Sequence, residues 1–207
     1  MKSTELFDFY AKRYDQALTQ ALKVSGEQRE YFAKGRVSWL TRCLTELGEL
    51  PSTVLDYGCG DGSTTPLLLS ELKAKHGFGV DVSAKSIEIA RSVYSSCQLT
   101  YDAIRDFHPS GEIDLAYCNG VFHHIPINER SDAVAFVNRA LKPGGLFAFW
   151  ENNPWNPATL YVMSRCAFDD DAITLTPPNA RALLRATART HGCDGKSLEF
   201  AWGASAT

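Results

Sequence analysis

Two carboxylates and an alternating run of glycines carry the clearest chemistry in this chain. The stretch Val54-Leu55-Asp56-Tyr57-Gly58-Cys59-Gly60-Asp61-Gly62-Ser63 leads with strand-like apolar residues, sets an acid, and then places a glycine at every second position. A second acid, Asp81, closes the apolar run 77–80. Glycines let the backbone turn sharply and approach a ligand with no Cβ in the way. Together these features read as an adenosine-type cofactor held at the carboxyl end of a parallel sheet.

The spacing narrows the ligand. Nicotinamide and flavin loops use G-x-G-x-x-G or -A, whereas here the glycines are 58, 60 and 62 and position 63 is Ser. No Gly-Lys-Ser/Thr follows, so a phosphate-binding P-loop is absent. The Asp56 carboxylate would repel a pyrophosphate but suits an ammonium or sulfonium charge. Asp81 stands where it can accept hydrogen bonds from both ribose hydroxyls, slightly beyond the roughly 20-residue interval usual for such an acid. The plainer alternative for both acids is turn formation and helix capping at strand ends.

These residues need a scaffold, and the chain supplies an alternating one. Strands are expected at 53–57, 77–82, 99–102, 113–118 and 146–150, with helices at 63–75, 83–95 and 128–141. Ala133, Val134, Val137, Ala140 and Leu141 make one apolar face of the last helix, which Lys142-Pro143-Gly144-Gly145 ends. Earlier, Val37, Leu40, Leu44 and Leu47 recur at helical spacing and Gly48 offers a stop. Phe7, Phe9, Tyr10 and Tyr14 form an aromatic cluster that either folds over a pocket or packs on the core. Strand–helix alternation predicts a mostly parallel sheet with right-handed crossovers and helices on both faces, a three-layer Rossmann-like α/β fold.

Size and charge restrict the function classes. At 207 residues the chain is expected to be one domain: a helical cap over 1–50, a cofactor-binding core over 51–151, and an acceptor-side loop with a shortened C-terminal part over 152–207. A formal net charge of −3 disfavours a nucleic-acid partner. No apolar run is long enough for a membrane helix and the N-terminus lacks a secretory core, so a cytoplasmic location is expected. The six cysteines are scattered without a Cys-x-x-Cys pair, which fits reduced, mostly buried thiols.

The combination resembles the class I S-adenosylmethionine-dependent methyltransferases over about residues 50–151. Asp56-Tyr-Gly58-Cys-Gly60-Asp-Gly62 is similar to that family's first motif and Asp81 to its ribose-binding acid. Asp102-Ala103, after the third strand, stands where the family sets a side chain and a backbone amide against the adenine. Asn119-Gly120-Val-Phe-His123-His124 resembles the fourth-strand motif along the methionine part of the cofactor, and 141–145 the turn before the fifth strand. The segment from Tyr10 to Asp15 resembles the N-terminal element that closes over the cofactor. The resemblance therefore implies S-adenosyl-L-methionine bound by Tyr14, Asp56, Gly58, Cys59, Gly60, Asp81, Val82, Asp102, Ala103, Asn119 and Gly120.

Methyl transfer from a sulfonium is an in-line displacement, so alignment and exclusion of water come first and a base is needed only for a protonated acceptor. In small-molecule O-methyltransferases of this fold a Glu-His pair often follows the fourth strand. His124 stands at that histidine and His123 replaces the glutamate, while Glu151 ends the fifth strand. The resemblance thus makes His124 the candidate base, with His123 and Glu151 beside it; a structural imidazole is the alternative. Glu151-Asn-Asn-Pro-Trp-Asn-Pro157 and the later Arg165-Cys-Ala-Phe168-Asp169 resemble a bacterial subgroup with Glu-His-Asn-Pro and Cys-Pro-Phe-Asp at these places. Its acceptors run from small molecules to surface sugars. Asn153-Pro154-Trp155 is only superficially similar to the motif of amino-methylating DNA enzymes, which follows a different strand. His123, His124, Glu151 and the acidic turn 169–171 also suggest a divalent ion, but no spacing enforces ligand geometry and no metal is expected.

After residue 180 one helix (180–189) and one strand (197–202) are expected, leaving no room for the family's antiparallel seventh strand. A sheet edge opened in this way would favour a homodimer. The expected function is methyl transfer to a small-molecule acceptor, oxygen slightly favoured over nitrogen or carbon. The alternative is a binder of the same cofactor without catalysis.

Overall fold

A computed structural model describes residues 28–166, 169–190 and 196–201. The aromatic cluster with Tyr14, the closing element 10–15 and the positions 167, 168 and 202–207 lie outside the described residues. The chain divides into two compact units, Met1–His108 and Pro109–Thr207, and the division falls inside the stretch expected to be one cofactor-binding core.

The first unit opens with α1 (Arg29–Leu47), whose buried residues Ala33, Val37, Leu40 and Leu44 follow helical spacing. Leu47, expected on that face, is 54% exposed, because the apolar stripe starts a turn earlier at Ala33. Gly48 ends the helix at φ 71°, and the Glu49 N–H reaches back to the Leu44 carbonyl at 2.9 Å. Strands β1 (Thr53–Tyr57), β2 (His76–Asp81) and β3 (Leu99–Ala103) alternate with α2 (Thr64–Leu72) and α3 (Ala84–Tyr94). Both strand pairs, β1–β2 and β2–β3, are parallel. Helix α2 stops earlier than expected, since Lys73 turns left-handed at φ 53°. The Ser83 side chain caps α3 by accepting from the Ser86 N–H. Cys59, Ile87, Ala90, Leu99 and Tyr101 form a buried cluster against which Leu69 and Tyr94 pack.

The second unit runs β4 (Ile113–Asn119), two short 3-10 turns (Phe122–His124 and Ile127–Glu129), α4 (Arg130–Ala140), β5 (Leu141–Glu151), α5 (Pro157–Met163), α6 (Pro177–Thr190) and β6 (Lys196–Ala201). Strand β5 starts five residues before the expected 146. Leu141 already pairs with Ile113, and the register then jumps so that Leu146 faces Leu115. The Lys142-Pro-Gly-Gly145 segment is therefore a wide bulge within a strand, with Gly144 at φ 77° and Lys142 ion-paired to Asp114. Strand β6 pairs parallel and directly with β5, from Leu146↔Lys196 to Glu151↔Ala201. Among the described residues no helix is long and apolar enough to cross a membrane.

Candidate functional site

In the first unit the glycine loop is a sequence of left-handed turns. Gly58, Gly60 and Gly62 sit at φ 76°, 56° and 81°, which only glycine adopts freely. Their roles differ. A Cβ on Gly62 would lie 2.6 Å from Ala90 and 2.8 Å from the Tyr101 ring, whereas one on Gly60 would meet nothing within 4 Å. Gly62 is thus a packing glycine and Gly60 faces open space.

The loop is pinned from three sides. The Gly58 and Cys59 N–H groups donate to the Val80 carbonyl at 2.7 and 3.0 Å. Asp81 accepts from the Gly60 N–H (2.9 Å) through one oxygen and from the Ser83 N–H (2.8 Å) through the other. Arg29 forms a bidentate pair with Asp61 (2.8 and 2.9 Å) and also donates to the Ser63 hydroxyl. Burial would raise the Asp61 pKa, but the Arg29 fork and Ser63 outweigh it and hold that pKa below the ordinary value. The Tyr101 hydroxyl completes the set by donating to the Gly62 carbonyl at 3.2 Å.

Asp56 is buried at 3% exposure and accepts from the Thr65 hydroxyl at 2.9 Å. Burial dominates its titration and lifts its pKa to about 7, with the nearby Asp81 and Asp61 charges adding to the rise. A cation arriving beside it would favour the ionised form. Cys59 directs its thiol into the core cluster, so this position offers a ligand only backbone. Val82, beside Asp81, leaves an apolar side chain 44% exposed. Asp102 pairs with Arg91 at 2.6 Å, and Ala103 is buried.

In the second unit the strand ends gather another cluster. Asn119 closes β4, and Gly120 turns at φ 68° with its N–H on the Trp150 carbonyl at 3.0 Å. Glu151, the last residue of β5, accepts from the Val121 N–H (2.9 Å), the Phe122 N–H (2.6 Å) and His123 Nδ1 (2.6 Å). Burial raises its pKa, but these partners more than reverse the effect and keep it ionised. Burial likewise depresses His123, yet the Glu151 and Asp169 carboxylates prevail and raise it to about 9. His124 lies beside it, ring centroids 4.0 Å apart and the planes tilted by 47°. Its own pKa falls to about 4, through burial first and the His123 charge second. Arg130 straps the segment 169–173 in place, donating to the Ile125 and Ile173 carbonyls while the Ile173 N–H donates to the His123 carbonyl.

Three participants were not assigned from sequence. Arg29 and Tyr101 carry no motif signal, because one starts a surface helix and the other fills a strand. Asp169 was visible as the end of the Arg165–Asp169 resemblance and in an acidic turn set aside as solvated, with no role of its own. Asp170 and Asp171 are indeed exposed, but the Asp169 side chain is only 6% exposed.

Residues 54–145 match the family described as "Methyltransferase domain". The chain is 31% identical over 97 residues to the trans-aconitate 2-methyltransferase of Azoarcus sp. strain BH72, covering 47% of this chain and 38% of that protein. It is 29% identical over 118 residues to the trans-aconitate 2-methyltransferase of Escherichia coli O139:H28, covering 57% and 46%. It thus spans less than half the length of these curated relatives. The structure of magnesium protoporphyrin IX methyltransferase from Synechocystis PCC 6803 with bound SAH superposes with a TM-score of 0.61 at 18% identity, over 91% of this chain and 89% of that one. That likeness shows the Rossmann-like methyltransferase fold.

Proposed function

We propose that this chain, whose residues 54–145 match the family described as "Methyltransferase domain", is a class I S-adenosylmethionine-dependent methyltransferase that transfers a methyl group to an oxygen of a small-molecule acid. The observation that carries the reading is the Asp81 bridge. One carboxylate fixes the open Gly60 turn through its N–H and is an acceptor-only group of the kind to which ribose hydroxyls donate. The open space at Gly60 and the exposed Val82 side chain beside Asp81 fit an adenosine. Asp56 fits a cationic group, since ligand charge would offset the cost of ionising a buried acid. When bound, S-adenosyl-L-methionine supplies an electrophilic methyl on a positively charged sulfur. Asp102, Ala103, Asn119, Gly120 and Tyr14 are assigned to the cofactor on the resemblance of their segments alone.

The acceptor class follows from what the second unit offers. His123 turns Nδ1 to Glu151 and Nε2 toward Asp169, and His124 turns Nε2 toward the same Asp169 oxygen. These nitrogens face carboxylates and are poorly arranged to deprotonate an alcohol or amine. A carboxylate acceptor is already anionic and needs no base. The matched relatives are named for an acid of that kind. His123, His124 and Glu151 then act on the acceptor side by position and charge.

Titration calorimetry with S-adenosylmethionine, S-adenosylhomocysteine and NAD tests the cofactor. Binding of NAD in place of both sulfur compounds would overturn it. Incubation with methyl-labelled cofactor and a panel of small di- and tricarboxylates tests the acceptor, the expected product being a base-labile methyl ester. Label found only on amines, alcohols or carbon would refute the acid reading and leave the cofactor assignment standing.

A further inference from the structure

The cluster at the strand ends of the second unit has a feature that hydrogen bonding does not explain. Asp169 Oδ1 is buried and accepts no hydrogen bond, although a buried carboxylate oxygen without a partner is costly. It points at two imidazole nitrogens, His123 Nε2 at 3.5 Å and His124 Nε2 at 3.4 Å. One donor atom from each of the three residues lies within 4.8 Å of the others. We infer that these residues form a binding site for a borderline divalent cation of the zinc class.

Distances, donor types and the surrounding shell agree on this. Metal bonds of about 2.0–2.1 Å to nitrogen or oxygen put tetrahedral ligand atoms about 3.3–3.4 Å apart. The same bonds in an octahedron, the geometry magnesium demands, would put neighbours about 2.9 Å apart. The observed 3.4 and 3.5 Å match the tetrahedral edges. Two imidazoles with one carboxylate select zinc and its neighbours over magnesium or calcium, which prefer all-oxygen sites. The next shell is built for the purpose. With Nδ1 hydrogen-bonded to Glu151, Nε2 is the nitrogen that faces Asp169 and would give up its proton when a cation binds. Glu151 is itself anchored by two backbone N–H groups. A carboxylate behind a ligating histidine fixes its tautomer and direction.

Three protein ligands leave one tetrahedral position for water or for an oxygen of a bound molecule. That the molecule is the methyl acceptor rests on the function proposed above; the metal site does not. Sequence spacing gave no reason to expect a metal, because the segment that carries Asp169 is brought to the histidines by distant contacts such as those of Arg130 and Ile173.

The test uses the full chain, stripped with a chelator and titrated with zinc chloride by calorimetry. Cobalt substitution read by visible absorption reports the geometry. We expect one tight equivalent and a tetrahedral cobalt spectrum. D169N and H124Q should each lose binding by about 100-fold or more, and E151Q by about 10–100-fold. Thermal melting by circular dichroism selects the variants that remain folded. A folded D169N or H124Q that binds zinc as the unaltered chain does would overturn the site, as would no zinc binding above that of the H123Q/H124Q double variant. Binding of S-adenosylhomocysteine is measured in parallel. In the unaltered chain, absence of that binding alone sinks the functional proposal, and absence of zinc binding alone sinks this one.

Discussion

His123 and Glu151, 28 residues apart in the chain, meet through a 2.6 Å hydrogen bond from Nδ1 to Oε2, with side chains only 3% and 6% exposed. Glu151 also receives two backbone N–H groups from the turn that carries the histidine. One carboxylate therefore sets both the path of the chain after β4 and the direction of an imidazole. Removing it should be costly. E151A would strand a buried imidazole and two N–H donors, and we expect a loss of about 3–5 kcal/mol in urea unfolding at pH 7. E151Q, which keeps an acceptor of the same shape, should lose clearly less. Equal losses would mean that the stabilisation rests on the carboxylate charge and that a neutral acceptor of the same shape restores none of it.

The glycine loop separates packing from binding. Gly62→Ala forces a Cβ to within 2.6 Å of Ala90 at φ 81°, and should destabilise the protein by roughly 2 kcal/mol or more. Gly60→Ala meets no neighbour and carries only the φ 56° strain, about 1 kcal/mol. Its larger effect should be on cofactor affinity, through the space it fills. Melting temperature and calorimetry on both variants check the contrast; a Gly60→Ala protein with undiminished affinity contradicts it.

Asp56 predicts a pH dependence with a definite sign. Its pKa rises from 3.8 to about 7 on folding, so the folded state holds the proton more tightly than the unfolded chain. Its contribution is full below about pH 4 and is lost as pH rises toward 7. The three-unit shift corresponds to roughly 4 kcal/mol. Asp56→Asn keeps an acceptor for the Thr65 hydroxyl and cannot ionise. It should flatten the stability profile between pH 4 and 7, raise stability at pH 8, and weaken binding of the sulfonium cofactor more than of its neutral product. Parallel urea series across this range, with and without each ligand, provide the check.

Asp61 behaves in the opposite sense. The Arg29 pair depresses its pKa, so its stabilisation is present above the unfolded value of about 3.9 and disappears as pH falls through the lower folded value. Both side chains are about one-fifth exposed. Arg29→Ala should therefore cost only about 1–2 kcal/mol at neutral pH and less near pH 3. A cost that does not shrink on acidification would show that the pair stabilises the loop by packing alone.

Much of the scaffold is local information. The strands at 53–57 and 99–103 and helix α3 fall within a residue of the sequence reading, since alternation, caps and glycines act over a few positions. Where the reading slips, a non-local contact or an uncommon turn is responsible. The Lys142-Pro-Gly-Gly145 turn became a bulge because Leu141 still pairs with Ile113. Helix α2 shortened because Lys73 accepts a left-handed turn that its residue type does not advertise.

The sequence by itself carries the proposed cofactor chemistry. Asp56, the alternate glycines and Asp81 are a short-range code, in which backbone freedom and charge sign are properties of residue types. Tertiary structure decided what the rest of the chemistry is attached to. It turned Cys59 inward, placed Tyr101 beneath Gly62, and brought Asp169 across 46 positions to the two histidines. Those outcomes depend on strand register and on hydrogen bonds between distant segments. No spacing along the chain encodes them.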